Sequence, residues 1–344
     1  GAACSADFVF HVDPAFQNRS YHFHNNSFLF DGYSHWFRAD SLLPRETECL
    51  TLTVSFQPLT YSAHGDGLFS CRADGQGLAV LLEKGGRIAV QFGPHRFCSI
   101  RSHALTKQQN VVTVIYRGDA GWCDLYVNGV LSARKQFPRH TKLVFPEAPA
   151  YLGRFCGERQ YQEALPFGCF YGWMEFVQIE LSAQPEEVVL SLHQTNAVQN
   201  ELFASGMPRR SDYRYDRNHP CYHLAPEGKW MNEPHAPFYY DGWYHIFYQG
   251  NPHAPIWDHI CWGHLKSRDM VHWQSCPLAL IPEKESTAPD GCWSGSAVID
   301  KDGSPRLYFT AGDDARFPNQ AVALALPEDS SMDFWKSLPH LIQE

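Results

Sequence analysis

Short apolar runs, each cut off by Gly, Pro, Asn or Asp, recur from Ser27 to about Glu180. A chain punctuated in this way buries itself as strands joined by tight turns. The runs are Leu50–Phe56, Gly67–Ser70, Leu78–Leu82, Ile88–Phe92, Asn110–Tyr116, Cys123–Val127, Ala150–Gly153 and Gly172–Glu180. Asn128-Gly129, between Asp124-Leu125-Tyr126-Val127 and Val130-Leu131, has the residues of a type I′ turn, which needs positive φ at both central positions. Regular spacing of this kind predicts a β-sandwich. Aromatic residues make up 14% of the chain, which suits pleated, half-buried surfaces and flat walls for ring-shaped ligands.

At 344 residues the chain is long enough for two cores. Pro185-Glu186-Glu187 reads as a helix start, with the helix running toward His193 and on to Phe203, and Gly206–Asp212 is polar and turn-rich. The expected division is 1–205, a sandwich with a helical linker, and 206–344. In the second part strands resume at Gly242–Tyr248, Ile260–Ser267, Ser294–Ile299, Arg306–Thr310 and Ala321–Leu326, with Asp241-Gly242 and Asp302-Gly303 as turns. The expected fold class is all-β throughout.

A net charge of −9 and the lack of a basic run remove the electrostatic footprint of a nucleic-acid binder. No apolar stretch reaches 18 residues and the first residues have neither a charged start nor an apolar signal core, so no membrane partner is expected. The 11 cysteines are odd in number, scattered, and without a C-x-x-C pair, which favours reduced thiols and a cytoplasmic location, with secretion as the alternative. Among the 18 histidines, His22, His24, His259 and His264 gain no third ligand at a metal-binding spacing, so no metal and no cofactor are expected. Asp66 and Asp74 read as solvated loop carboxylates rather than a calcium site, and Asp313-Asp314 as a solvated turn.

The chemistry concentrates in Lys229-Trp230-Met231-Asn232-Glu233-Pro234-His235-Ala236 and the aromatic strand that follows, Tyr244-His245-Ile246-Phe247-Tyr248-Gln249-Gly250-Asn251-Pro252. A carboxylate between an amide and a proline, beside a tryptophan and ahead of an aromatic strand ending in a glutamine, is the kind of floor a sugar ring needs. With Trp257, Cys261–Trp273, Leu278–Pro282, Gly291-Cys292-Trp293-Ser294-Gly295-Ser296 and Gln320–Ala325 following in order, residues 219–336 resemble glycoside hydrolase family 32, which includes invertases, inulinases, levanases and fructosyltransferases. Residues 1–195 resemble concanavalin-like, laminin-G-type jelly rolls through Phe30-Asp31-Gly32, Trp122–Gly129, Tyr151–Arg154 and Phe170–Ser182.

The family resemblance implies the first blades of a five-bladed β-propeller and a retaining double displacement on fructose-containing oligo- or polysaccharides. Such chemistry uses one carboxylate as nucleophile and a second carboxyl group as acid/base. Glu233 takes the nucleophile position by resemblance, and Trp230, Asn232, Gln249, Trp257, Trp293 and Ser294 take positions lining the fructosyl subsite. Two departures stand out. The family's nucleophile is an aspartate in an Asn-Asp-Pro-Asn-Gly phrase, whereas glutamate here adds about 1.5 Å of reach, and a displacement of about 1 Å can cost roughly a hundredfold in rate. Either the local backbone compensates, or activity is altered or lost. The family's later Arg-Asp-Pro and Glu-Cys motifs are not found before Glu344, Arg316-Phe317-Pro318 having no carboxylate. The resemblance therefore implies that a further segment or second chain completes the propeller and supplies the acid. A fructosyltransferase and a catalytically silent sugar-binding protein are the alternatives.

Overall fold

The computed structural model describes residues 9–12, 23–24, 27–40, 42–62, 65–156, 160–161, 165–166, 168–193, 203, 205–207, 215, 217, 220, 223–253, 257–283 and 286–339, with backbone alone at 9–12, 23–24, 160–161 and 165–166. The chain divides into two compact units, Gly1–Gly206 and Met207–Glu344. Both are built from antiparallel strands, so the all-β expectation holds. No helix among the described residues is long and apolar enough to cross a membrane.

The first unit contains two seven-stranded sheets. One runs in the order Val130–Gln136, Trp122–Val127, Asn110–Arg117, Cys49–Pro58, Tyr171–Glu180, Ser27–Asp31 and Phe23–His24. The other runs Val9–Val12, His35–Ala39, Ala150–Leu152, Asp66–Ala73, Gln76–Leu82, Ile88–Phe92 and His95–Cys98. Aromatic rings join the sheets: Phe28 and Phe30 of the first meet Phe37 of the second at 5.0 and 5.7 Å, and Phe92 meets Tyr116 at 5.5 Å. The arrangement is a sandwich.

In the central Cys49–Pro58 strand, Leu50, Leu52, Val54 and Phe56 alternate with Thr51, Thr53, Ser55 and Gln57, and all eight are buried. Strand period two sends these sets to opposite faces. The polar set is buried because the helix Glu186–Leu192 covers part of that face, its Val189 packing with Ile115 and Tyr126. His193, immediately after the helix, accepts from the Gly129 amide at Nδ1 (2.8 Å), so its Nε2 carries the proton toward Thr113 Oγ1 at 3.0 Å, and Thr113 in turn meets Thr53 at 3.0 Å. Gly129 belongs to the hairpin turn, where Asn128 and Gly129 have φ of 50° and 79°, as a type I′ turn requires. The helix spans Glu186–Leu192 with His193 as its C-cap, as expected, and the further extension toward Phe203 falls on residues 194–202, which lie outside the described residues.

The second unit contains two four-stranded sheets, Trp230–Tyr240, Trp243–Asn251, Cys261–Ser267, Trp273–Leu280, and Gly291–Ile299, Pro305–Gly312, Gln320–Pro327, Trp335–Ser337, each in chain order. Simple meanders of this kind need only short connections. The two sheets share one core, in which Phe247 meets Trp335 at 5.6 Å and Trp262 meets Phe309 at 6.1 Å. Lys266 of the first sheet also pairs with Asp333, which precedes the last strand of the second, at 2.6 Å. The Trp230–Tyr240 and Trp273–Leu280 strands were absent from the sequence expectation. In the first of them Pro234 and Pro237 hide the pattern.

Proline removes a ladder donor, which confines it to edge strands and bulges. Trp230–Tyr240 meets both conditions. It is the outer strand of its sheet, and its register with Trp243–Asn251 slips twice, between Asn232 and Pro234 and between His235 and Phe238.

Candidate active site

The first slip is where Glu233 sits. Asn232 pairs with Gln249 and Pro234 with Tyr248, so Glu233 is the extra, unpaired residue of a β-bulge. Its φ is +47°, a left-handed conformation that a residue with a Cβ adopts at a cost of about 1–2 kcal/mol. Bulges re-aim side chains, and here the result is an exposed carboxylate on an edge strand in which Ala236 alone is buried.

A directed set of hydrogen bonds holds that carboxylate. The Trp230 indole can only donate, and it gives its Nε1 proton to Asn232 Oδ1 at 2.9 Å. That fixes the orientation of the Asn232 amide, whose Nδ2 donates to Gln249 Oε1 at 3.1 Å. Gln249 is thereby oriented as well, and its Nε2 donates to Glu233 Oε2 at 2.9 Å and to Ser294 Oγ at 3.1 Å. Ser294 completes the set by donating to the same Glu233 oxygen at 2.9 Å. A single donor-only ring at one end therefore orients two amides whose direction would otherwise be ambiguous.

Ser294 arrives from the other sheet through a second bulge. Cys292 pairs with Ala311 and Gly295 with Phe309, which leaves one residue extra in the Trp293-Ser294 segment. Trp262 anchors this segment by donating its Nε1 proton to the Trp293 carbonyl at 2.8 Å, while its own ring is fully buried. The Trp293 ring lies across the backbone of Gly291 and Gly312, where a Cβ would sit 2.3 and 2.7 Å from ring atoms. Only glycine leaves room there.

Of the seven residues singled out from the sequence, Trp230, Asn232, Glu233, Gln249 and Ser294 join in one hydrogen-bonded group, and Trp293 is the neighbour of Ser294 in the bulge. Trp257 stands apart: it is 56% exposed, and among the described residues no hydrogen bond or ring contact links it to that group. Two further residues shape the site without having been expected. Trp262 is one. The other is His235, whose ring lies 4.0 Å from that of Trp262 and whose nitrogens find no partner among the described residues. Burial holds His235 down to about 4, against the opposing pull of the Glu233 charge. Its signal in the sequence was only its position two residues after Glu233.

Behind the site, His245 Nδ1 and His264 Nε2 meet at 2.9 Å, and their rings stack on Phe238 and Phe247 respectively. Burial lowers His245 to about 4 and drives His264 well below the ordinary range, with Lys266 adding to both effects. This is a neutral, apolar-packed pair. Among the described residues no group of three or more His, Cys, Asp or Glu side chains is placed to hold a metal ion. His22 lies outside the described residues, and His24 is described by its backbone alone.

The other carboxylates tempting in the sequence behave differently from one another. Asp66 is not a solvated loop group: it is fully buried and accepts from Ser62 Oγ at 2.6 Å, because it opens a strand in the interior of the sandwich. Asp74 is exposed in a left-handed turn position with φ of +48°. Asp313 is engaged by Arg316 Nε at 2.8 Å, and Asp290 accepts from the Asp314 amide.

The family model falls within the second unit. Residues 223–343 match the model of the glycosyl hydrolases family 32 N-terminal domain. A cell-wall β-fructofuranosidase of Zea mays is 46% identical over 110 residues, which are 32% of this chain and 18% of the relative. The vacuolar acid β-fructofuranosidase 4 of Arabidopsis thaliana is 44% identical over 109 residues, covering 32% and 16%. Among solved structures, fructan 1-exohydrolase IIa of Cichorium intybus shares 36% identity over 34% of this chain and 22% of its own, with a TM-score of 0.32. The chain thus spans less than a fifth of the length of these two curated relatives. The segment 223–343 belongs to glycosyl hydrolase family 32, as its N-terminal part.

Proposed function

We propose that this protein is a β-fructofuranosidase-type glycosidase acting on fructose-containing oligo- or polysaccharides by double displacement with retention, and that Glu233 is its nucleophile. The observation that carries this reading is the Glu233 carboxylate itself: exposed, lifted from its strand by a bulge, and held by Gln249 and Ser294. A nucleophile must reach the anomeric carbon in a fixed orientation, since positioning supplies much of the acceleration. The glutamate's extra methylene is compatible with this role because the left-handed bulge sets the carboxylate's place.

Trp230, Asn232, Trp293 and Ser294 would line the fructosyl subsite on the same side, and Trp257 would stand at its margin. The reading assigns the acid/base role to none of residues 1–344, and it places the companion carboxyl group on a further segment or second chain. The test is Glu233→Gln in the full-length protein, assayed on sucrose, inulin and levan. Loss of a covalent nucleophile typically removes about 10⁴-fold or more of turnover. Sugar binding should persist, because the amide keeps the shape. Unchanged turnover would remove Glu233 from the mechanism.

A further inference from the structure

The sandwich of the first unit carries a guanidinium on its outer surface. Tyr151 pairs with Arg38 on one neighbouring strand and with Ser70 on the other, so the three lie side by side on one face of their sheet. Residues two positions apart along a strand share a face, which adds Trp36 and Arg72. That face points away from the other sheet, because the alternate residue Phe37 is the one that meets Phe28 and Phe30. Arg154, just beyond Tyr151, lays its guanidinium over this outer face, 4.6 Å from the Trp36 ring centroid and 5.8 Å from that of Tyr151.

The Arg154 backbone is fixed from two sides: Ser70 Oγ donates to its carbonyl at 2.7 Å, and Arg154 forms a β-bridge with Cys169. The charged end is treated differently. Acidic residues outnumber Lys and Arg by 37 to 28, and Arg45, Arg87, Arg134 and Arg316 each pair with a carboxylate. Among the described residues the Arg154 guanidinium has no ion pair and no hydrogen bond. Arg72 stands close by, since Cys156 Sγ donates to its carbonyl at 2.9 Å. Its Nη2 donates to the Gly93 carbonyl at 2.8 Å, and its Nη1 finds no partner among the described residues. Arg38, by contrast, is engaged by Asp40 at 2.9 Å. A guanidinium stacked on rings keeps its N–H edge open, and that fork matches a carboxylate through two parallel hydrogen bonds.

We propose that Arg154, resting on Trp36 and Tyr151, forms a binding site for the carboxylate of a uronic-acid saccharide on the outer face of the first unit. The carboxylate takes the guanidinium edge. The C–H face of the sugar lies on Tyr151, which is half-buried and which the guanidinium covers less closely than it covers Trp36. A ring that bears a carboxylate uses both features at once, whereas an acidic peptide side chain uses only the first. Arg72 adds positive potential, and Asp40, the carboxylate on this face, is already held by Arg38. The site lies wholly within the first unit and shares no residue with the group around Glu233, so it is independent of the activity proposed above.

Ligand-observed NMR titration of the intact chain with tri-galacturonate, its methyl ester and a glutamate hexapeptide tests this. The acid should bind with a Kd of about 1 mM or tighter, and more weakly as salt rises, because half-exposed charges are screened. The ester keeps the shape and loses the charge, and should bind about tenfold more weakly or worse. Arg154→Lys keeps a cation over Trp36 but loses the fork, and should weaken binding of the acid by about tenfold. In that variant the Phe155 amide, bonded to the Gly168 carbonyl at 2.8 Å, should keep its exchange protection, which separates a lost ligand group from a loosened segment. Equal binding of acid and ester, or no binding of the acid by the parent protein, would overturn the proposal without recourse to any variant. An Arg154→Lys protein that binds the acid as the parent does would overturn it too. Binding of the hexapeptide in place of tri-galacturonate would overturn it in favour of an acidic protein partner.

Discussion

The central strand of the sandwich, Cys49–Pro58, and the edge strand of the second unit, Trp230–Tyr240, follow opposite policies. In the first, eight residues, Cys49–Phe56, pair without a break against the Asn110–Arg117 strand, and on the polar face Thr51 donates to the Ser182 carbonyl and Thr53 meets Thr113. In the second, two bulges, two prolines and two left-handed residues, Glu233 and Ala236, interrupt eleven residues. An unbroken ladder satisfies every backbone group but can present a side chain only along the two pleat directions. A broken one loses ladder bonds and gains a direction the pleat does not offer. The lesson is that the exposed carboxylate held by Gln249 and Ser294 is found where regular structure has been given up.

The sharpest way to break this comparison is in the sandwich core. Phe56 is buried and meets Phe170 edge-on at 5.7 Å, so Phe56→Ala should destabilise the first unit by about 3–5 kcal/mol. Denaturant unfolding of the intact chain, followed by hydrogen exchange on Val114 and Leu52, would read it. A loss below about 1 kcal/mol would mean that the sandwich is not packed as a continuous core.

A second contrast lies between a buried histidine, His193, and a half-buried one, His235, of similar acidity. His193 is lowered to about 4 by burial with both nitrogens bonded, whereas His235 reaches about 4 with neither nitrogen bonded among the described residues. In both, the folded state disfavours the proton that the unfolded chain takes up near pH 6.5, so stability is full above that pH. It falls as the pH drops toward 4 and then levels off. For His193 the loss should be about 2 kcal/mol by pH 5. In His193→Gln the slope of stability against pH between 7 and 5 should shrink accordingly, and the Gly129 amide, bonded to His193 Nδ1, should lose exchange protection. An unchanged slope would show that the ring is already protonated in the fold.

The smallest effect is the most diagnostic of strain. Glu233→Gly removes the Cβ from a left-handed position and should stabilise the second unit by up to about 1 kcal/mol while abolishing activity. Thr53→Gly in the regular strand should instead destabilise by a similar or larger amount. Equal destabilisation at both positions would show that the bulge carries no backbone strain.

Much of the architecture was legible before any coordinates, and the reasons are local. Asn128-Gly129 dictates its turn because few dipeptides tolerate two positive φ values. The runs at Ile88–Phe92 and Asn110–Tyr116 coincide with the observed strands to within a residue, since apolar strand segments end where turn residues begin. Trp230–Tyr240 was not legible as a strand, because Pro234 and Pro237 break the pattern that identifies one. The burial of Asp66 was equally hidden, as its neighbours in sequence are glycines and polar residues and its burying partners lie elsewhere in the chain.

The residues of the site, from Trp230 to Ser294, were present in the linear motif, because side-chain chemistry at a given spacing is a property of the chain itself. What the tertiary structure alone decided is direction. The bulge at Glu233, the second bulge that delivers Ser294 and the indole of Trp262 that holds it come from segments up to 61 residues apart in the sequence. Only their meeting brings one carboxylate oxygen, Glu233 Oε2, to its donors Gln249 and Ser294. A sequence records which groups can donate and accept, whereas which lone pair stays unused depends on angles that exist only after the sheets have packed.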